Sequence, residues 1–335
     1  MVAASRTLQV VLLSGQTTQL IVQPETTLKE VKEAAEDKLE VGIGHFVRED
    51  GTVMNESHKE LTVAGMELRQ GEALQAVAGY NIKVKYYAQA LLDKINPSES
   101  RGDINIMDDL IGIQLRNVED LKCIAQAIFK KAIAEPAHGE SCARIAFGLM
   151  ERYPEFPPEN ERQKPVCFTR ALLTICQEEY EEMVSMLSTF EASLQDEAKF
   201  PRAEAEQAEL SRRRRMMLAC VSFIGHLYLE RLLAVKVIGQ VVHDLIGVKR
   251  GDNPPPEPHA INCALQLLTL VGRTLDAQPN GVVLLNRIAE RLRALPLLQV
   301  AGLPCYSPQV RFAINDVLRC RRDAWQPRVN FEHLQ

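Results

Sequence analysis

At 335 residues, 46% hydrophobic and 25% charged with a mean hydropathy of −0.13, the chain has the composition of an ordinary globular protein and length for two cores, which excludes disordered and fibrous classes. The net charge of −5 resides in residues 1–78, with 7 Lys+Arg against 12 Asp+Glu, and the remainder balances, which excludes a broad electrostatic funnel for RNA and leaves only local patches. No apolar run reaches the roughly 18 residues of a spanning helix, no signal core opens the chain, and the eight cysteines, all beyond residue 122, show no CxxC or zinc-ligand spacing, so reduced buried thiols in a cytosolic chain are expected.

The first 78 residues read as mixed α/β. Thr7–Leu13 and Thr17–Val22 are β-branched runs divided by Ser14-Gly15-Gln16, a hairpin signal. Thr27-Leu28-Lys29-Glu30 fits a capping box, after which Leu28, Val31, Ala35 and Leu39 recur at helical spacing. Short strands are expected around Phe46-Val47, Leu61–Val63 and Leu74–Val77, with turns at Asp50-Gly51 and Gln70-Gly71. The stretches VVLLSGQTTQLIVQPETTLKEVKEAAEDKL and LTVAGMELRQGEALQAV resemble ubiquitin in hairpin, Pro24 connection, helix and last strand. Processed ubiquitins end in a free double glycine, whereas Ala78-Gly79 runs directly into Tyr80. The resemblance therefore implies a fused docking or solubility fold, not a conjugated tag.

From Tyr86 onward helical periodicity takes over and strand signals are absent. Leu121, Ile124, Ala125, Ile128, Phe129 and Ala132 form one apolar stripe, and Val237, Ile238, Val241, Val242, Leu245 and Ile246 repeat it. Pairing is expected between 218–233 and 235–246, and between 261–275 and 282–295, which suits an α-solenoid of the HEAT kind. Proline-rich breaks fall at 153–165 and 251–258. A third, acidic segment, Glu178–Glu209, reads as a solvated helix or an inter-repeat loop and runs into Arg212, Arg213, Arg214 and Arg215. Four guanidiniums in one turn are the local candidate for RNA phosphates, with neutralisation by the preceding glutamates as the alternative. Without interleaved aromatics, sequence-specific RNA readout is not expected.

FIGHLYLERLLAVKVIGQVVHDLIG, from Phe223, and RFAINDVLRCRRDAWQPR, from Arg311, together with LLDKINP, LKCIAQAIFKKAIAEP, FTRALLTICQEEYE and ALQLLTLVGRTLD in order, resemble the middle domain of translation initiation factor 4G. His226 stands where that family has a glutamate. The resemblance implies a multidomain chain: an N-terminal ubiquitin-like α+β roll (1–79) and an all-α HEAT-repeat solenoid of about five helix pairs (80–330). It further implies a translation-initiation scaffold that binds and activates a DEAD-box helicase 4A, contacts mRNA weakly and joins initiation factor 3. Leu91, Leu92, Lys94 and Pro97 match the family's contacts to one helicase lobe. Phe223, Phe312, Asp316, Arg321, Trp325 and Arg328 match its C-terminal repeats, which face the other. For the apolar members the plain alternative is core packing; for the charged ones it is an internal ion pair or a solvated face. Tyr86 with Leu91 and Leu92 also fits the Tyr-x4-Leu-apolar pattern by which the family meets the cap-binding protein 4E, though the two leucines could equally be core. The absence of the family's further C-terminal helical domains and N-terminal arm predicts a minimal member. A translational repressor, an RNA-decay or splicing adaptor, or a ubiquitin-pathway adaptor would suit the same parts.

Enzyme signatures are missing: there is no GxxxxGK[ST], GxGxxG, HExxH or GxSxG, and the seven histidines are scattered. His226 and Glu230 at i, i+4 lack further ligands for a metal. No catalysis and no cofactor are expected.

Overall fold

Two apolar cores form, one within residues 8–76 and one within 84–317, in a computed structural model that describes residues 5–68, 72–96, 100–157, 164–196, 204–247, 255–300 and 303–326. The first core lies under a sheet of β1 (Arg6–Leu12), β2 (Thr17–Val22), β3 (Gly42–Val47), β4 (Val53–Met54) and β5 (Ala73–Tyr80), ordered β2-β1-β5-β3-β4. The β1–β5 pair is parallel and the others antiparallel. Alternation along β1 and β2 sends Leu8, Val10, Leu12, Leu20 and Val22 inward, against Leu28, Val31, Ala35 and Leu39 of α1 (Leu28–Leu39). The capping box forms: Glu30 N donates to Thr27 Oγ1 at 3.3 Å and Thr27 N to Glu30 Oε2 at 2.8 Å. Leu61–Val63, expected as a strand, makes only the bridge Thr62–Thr27. The N-terminus of α1 uses its backbone instead, Leu28 N reaching Leu61 O and Val63 N reaching Thr26 O, both at 2.8 Å. The Gln70-Gly71 turn lies outside the described residues.

Asn81 alone separates β5 from α2 (Ile82–Leu92) and caps it, its side chain accepting from Lys83 N. There follow α3 (Ser100–Ile111), α4 (Val118–Ala134), α5 (Gly139–Met150), α6 (Phe168–Asp196), α7 (Glu204–Leu229), α8 (Val235–Leu245), α9 (Pro258–Asp276), α10 (Pro279–Ala294) and α11 (Pro308–Arg322). Helices α3, α5, α7, α9 and α11 pack successively in one row; α2, α4 and α6, then α8 and α10, make the other. The repeat units are thus α2/α3, α4/α5, α6/α7, α8/α9 and α10/α11. The expected pairs, α7 with α8 and α9 with α10, are in contact as well, since consecutive helices also touch across the two rows. The α4 stripe is buried throughout, Phe129 meeting Phe223 of α7 edge to face at 6.1 Å. The acidic 178–209 stretch is helical wherever it is described, as the outer halves of α6 and α7. Strands do occur in this half: β6 (Gln299–Val300) and β7 (Leu303–Pro304) make a two-rung ribbon too short to leave a periodic signal.

The sheet domain is seated on the first repeats through its acidic helix. Glu36, 1% exposed, accepts from Ile43 N at 2.8 Å and from Lys85 Nζ at 3.3 Å. Tyr86 donates its hydroxyl to Asp37 at 2.5 Å, Lys130 pairs with Glu33 at 3.3 Å, and Lys59 pairs with Glu182 of α6. Asp120 Oδ1 accepts from Asn81 N, tying α4 to the connection.

Candidate partner-binding interface

The C-terminal repeat brings together four of the residues matched to a partner surface, Phe312, Asp316, Arg321 and Trp325. α11 begins at Ser307, whose hydroxyl accepts from Val310 N, and Pro308 follows at the first helical position, where a missing amide costs nothing. Arg319, Arg321 and Arg322 occupy the last turn, where cations oppose the helix dipole. Val310, Ile314 and Val317 turn inward toward α9, and the opposite ridge carries Phe312, 65% exposed. A large aromatic left in water on an ordered helix is an unsatisfied apolar surface. Beside it, Leu218 of α7, His259, Gln266 and Thr269 of α9, and Ala313, Asp316 and Val317 of α11 line an open cleft of about 330 Å³. Asp316 supplies its carboxylate beside the polar side chains of His259, Asn262, Gln266 and Thr269, so the cleft can take a hydrogen-bonding or cationic side chain. Phe312, one helical turn before Asp316, can anchor an apolar one.

Arg321 and Trp325 do other work. The Arg321 guanidinium donates to Asp276 at the end of α9 (3.1–3.3 Å) and to Asn286 of α10 (2.9 Å), and Trp325 Nε1 donates to Asp276 at 2.6 Å. The Trp325 ring lies where a Gly272 side chain would be, so only glycine fits there. Ala324 and Trp325 turn the chain back with φ of 56° and 57°. This clasp closes the last repeat and engages Arg321 and Trp325 internally, the ion-pair alternative for Arg321. Asp276, its hub, carries no signal in the sequence because its partners lie 45 and 49 residues away.

The remaining expected contacts divide. Leu91, Leu92 and Phe223 are each 1% exposed within the main core, so none can touch a partner surface in this fold. That burial also removes the two leucines from the pattern for cap-binding protein 4E, leaving Tyr86, 43% exposed, held by Asp37. Lys94 is exposed just beyond α2, while Pro97 and Arg328 lie outside the described residues. In the arginine run, Glu209 accepts from Arg212 (2.7 and 2.9 Å) and Arg213 (2.7 Å), Arg213 also lies over the Phe190 ring, and Arg215 is exposed. Arg212, and then Arg213, hold the Glu209 carboxyl down to about 2. Glu209 therefore shares a single negative charge between Arg212 and Arg213, which neutralises the pair only in part.

Burial lowers the His226 imidazole below its ordinary value, and Glu140 pulls weakly the other way. Burial pushes the Cys123, Cys142, Cys220 and Cys263 thiols up to about 12, which makes them packing residues, not nucleophiles. Among the described residues no group of three or more His, Cys, Asp or Glu could hold a metal, and no helix is long and apolar enough to cross a membrane.

The family model described as "MIF4G domain" matches residues 89–324. "Eukaryotic translation initiation factor 4G" of Triticum aestivum is 27% identical over 250 residues, and "Eukaryotic translation initiation factor 4 gamma 1" of Mus musculus is 27% identical over 252. Each match covers 72% of this chain but only 15% and 14% of those relatives. Among solved structures, the MIF4G domain of Trypanosoma cruzi translation initiation factor EIF4G5 is 17% identical, covering 72% of this chain and 97% of that one with a TM-score of 0.47.

Proposed function

The chain belongs to the MIF4G-domain family, and from that premise we propose that it is a translation-initiation scaffold that binds and activates a 4A-type DEAD-box helicase, assembling with mRNA and initiation factor 3. The observation that carries this reading is the exposed Phe312 beside the Asp316 cleft, within the family-matched region and on its last helix. A rigid solenoid with contacts at its two ends can hold a two-lobed helicase at one interlobe angle. Lys94 on the first repeat and Phe312 on the last are the exposed residues of that pair. The test is the RNA-stimulated ATPase rate of a 4A helicase as the chain is titrated in. A saturable rise, abolished by Phe312→Asp and reduced by Lys94→Glu, is expected. Binding without stimulation would turn the reading toward a repressor or decay adaptor, and no binding at micromolar concentration would end it.

Residues 5–80 we read as the ubiquitin-like roll, serving as a fixed cap on the solenoid. Gly79 is inside β5, where a side chain would meet Gly44 Cα at 2.5 Å, and one residue later the chain enters α2. A terminus free for conjugation is incompatible with that continuity.

A further inference from the structure

Charge is distributed along the solenoid in a way the sequence total hides. Residues 258–326 hold eight arginines, no lysine and four carboxylates, a net of +4 in a chain of net −5. Two of these arginines are consumed internally: Arg291 donates to the Ile246 and Gly247 carbonyls at the end of α8, and Arg321 fills the clasp with Asp276. The same clasp gathers others around it. Because Arg321 holds Asp276 and Asn286 together, the junction of α9, α10 and α11 is flanked along its three helices by Arg273 (one helical turn before Asp276), Arg287 (next to Asn286) and Arg322 (next to Arg321). All three are exposed. Asp276, the junction's own carboxylate, is already committed to Arg321 and Trp325. Among the described residues Arg273 and Arg287 have no carboxylate partner. Arg322 has only Asp323, at 3.6 Å with side chains 75% and 58% exposed, a pair that water and salt screen.

We propose that this junction binds the phosphates of single-stranded RNA, with Arg273, Arg287 and Arg322 as the contact residues. Guanidiniums supply forked donors suited to phosphate, and their arrangement on three helices fixes their spacing without folding on binding. Arg212 and Arg213 on α7 share Glu209 and so offer phosphate less uncompensated charge than these three. Among the described residues no aromatic ring lies free beside the three, so the contact reads backbone charge and not base identity. The proposal rests on the scaffold reading only for its choice of RNA as the polyanion.

The test uses the full chain and a fluorescent 20-nucleotide oligouridylate, with no helicase present, so that its failure is separate from failure of the ATPase titration. Three phosphate contacts predict a log–log salt slope of about −2, or roughly 20-fold weaker binding between 50 and 200 mM salt. The Arg273→Ala/Arg287→Ala/Arg322→Ala variant is expected to lose at least about tenfold in affinity and most of that slope. The corresponding triple lysine variant keeps the charge and retains binding, which separates lost contact from lost folding, and Arg212→Ala/Arg215→Ala binds as the parent does. The proposal is overturned if the parent chain does not bind the oligonucleotide at 50 mM salt, if the triple alanine variant binds unchanged, or if the loss follows Arg212 and Arg215. It is overturned equally if a polyglutamate peptide, and not RNA, binds through these arginines.

Discussion

Asp276→Ala removes the acceptor on which the C-terminal clasp turns. Three hydrogen bonds from Arg321 and one from Trp325 end on this carboxylate, and after the change Arg321 keeps only Asn286. A charge-assisted hydrogen bond contributes about 1.5–3 kcal/mol. The four cannot be added because they share one group, and the side chains are 19% and 27% exposed, so solvent screens part of the interaction. A loss of about 2–3 kcal/mol follows, less than the 3–5 of a fully buried pair. At about 2–4 °C per kcal/mol for a domain of this size, the melting temperature falls by about 4–12 °C. The damage is local: backbone amides of α11 exchange faster while those of α4 stay protected. Calorimetry with hydrogen exchange reads both. In a double-mutant cycle, adding Arg321→Ala to Asp276→Ala costs less than Arg321→Ala alone, since the bond is already gone. A fall of less than about 1 °C, or an unchanged α11, would refute the clasp.

Phe129→Ala deletes an aromatic ring at 2% exposure against Phe223 and is expected to cost about 3–5 kcal/mol in urea unfolding; a cost below about 1 kcal/mol would mean the α4–α7 contact is not central. The lowered His226 pKa means that the unfolded chain takes up the proton first. Its stabilisation is present above the ordinary value near 6.5 and is lost as pH falls through and below it. Melting of His226→Gln should therefore decline less than the parent's between pH 7.5 and 5.5, and parallel declines would contradict the assignment. The Asp37 hydrogen bond, then burial, push the Tyr86 hydroxyl up to about 12. Absorbance titration of Asp37→Asn should show one tyrosine ionising at lower pH than in the parent; an unchanged curve would mean that the two domains do not meet through this pair.

Local rules recovered what local chemistry decides. The Thr27–Glu30 box, the Gly15 and Gly51 turns (φ 87° and 85°) and the buried stripe of α4 each depend on residues within a turn or two of one another. The family motif at 311–328 marked an important helix but not its job, because the discriminating fact is where Asp276 and Asn286 arrive after three helices have packed. Leu91 and Leu92 show the same limit from the other side: the apolar ridge that would suit a partner is the ridge the first repeat needs for its own core, and periodicity is identical in both. The arginine run reads as free or neutralised in sequence because any of several preceding glutamates could serve it, and only the packed helix shows Glu209 shared by Arg212 and Arg213.

The seating of the sheet domain gives the solenoid a polarity. A stack of repeats has two terminal faces, each of which would otherwise leave an apolar surface for another copy or another repeat to extend. At the first face, α1 blocks extension with Glu33, Glu36 and Asp37 set against Lys130, Lys85 and Tyr86. At the last, Phe312, Arg319 and Arg322 stay in solvent. Among the described residues the two terminal faces thus differ in chemistry, one closed by an ion-paired sheet domain and the other presenting an aromatic ring and exposed arginines, so a partner meets a solenoid with a defined direction.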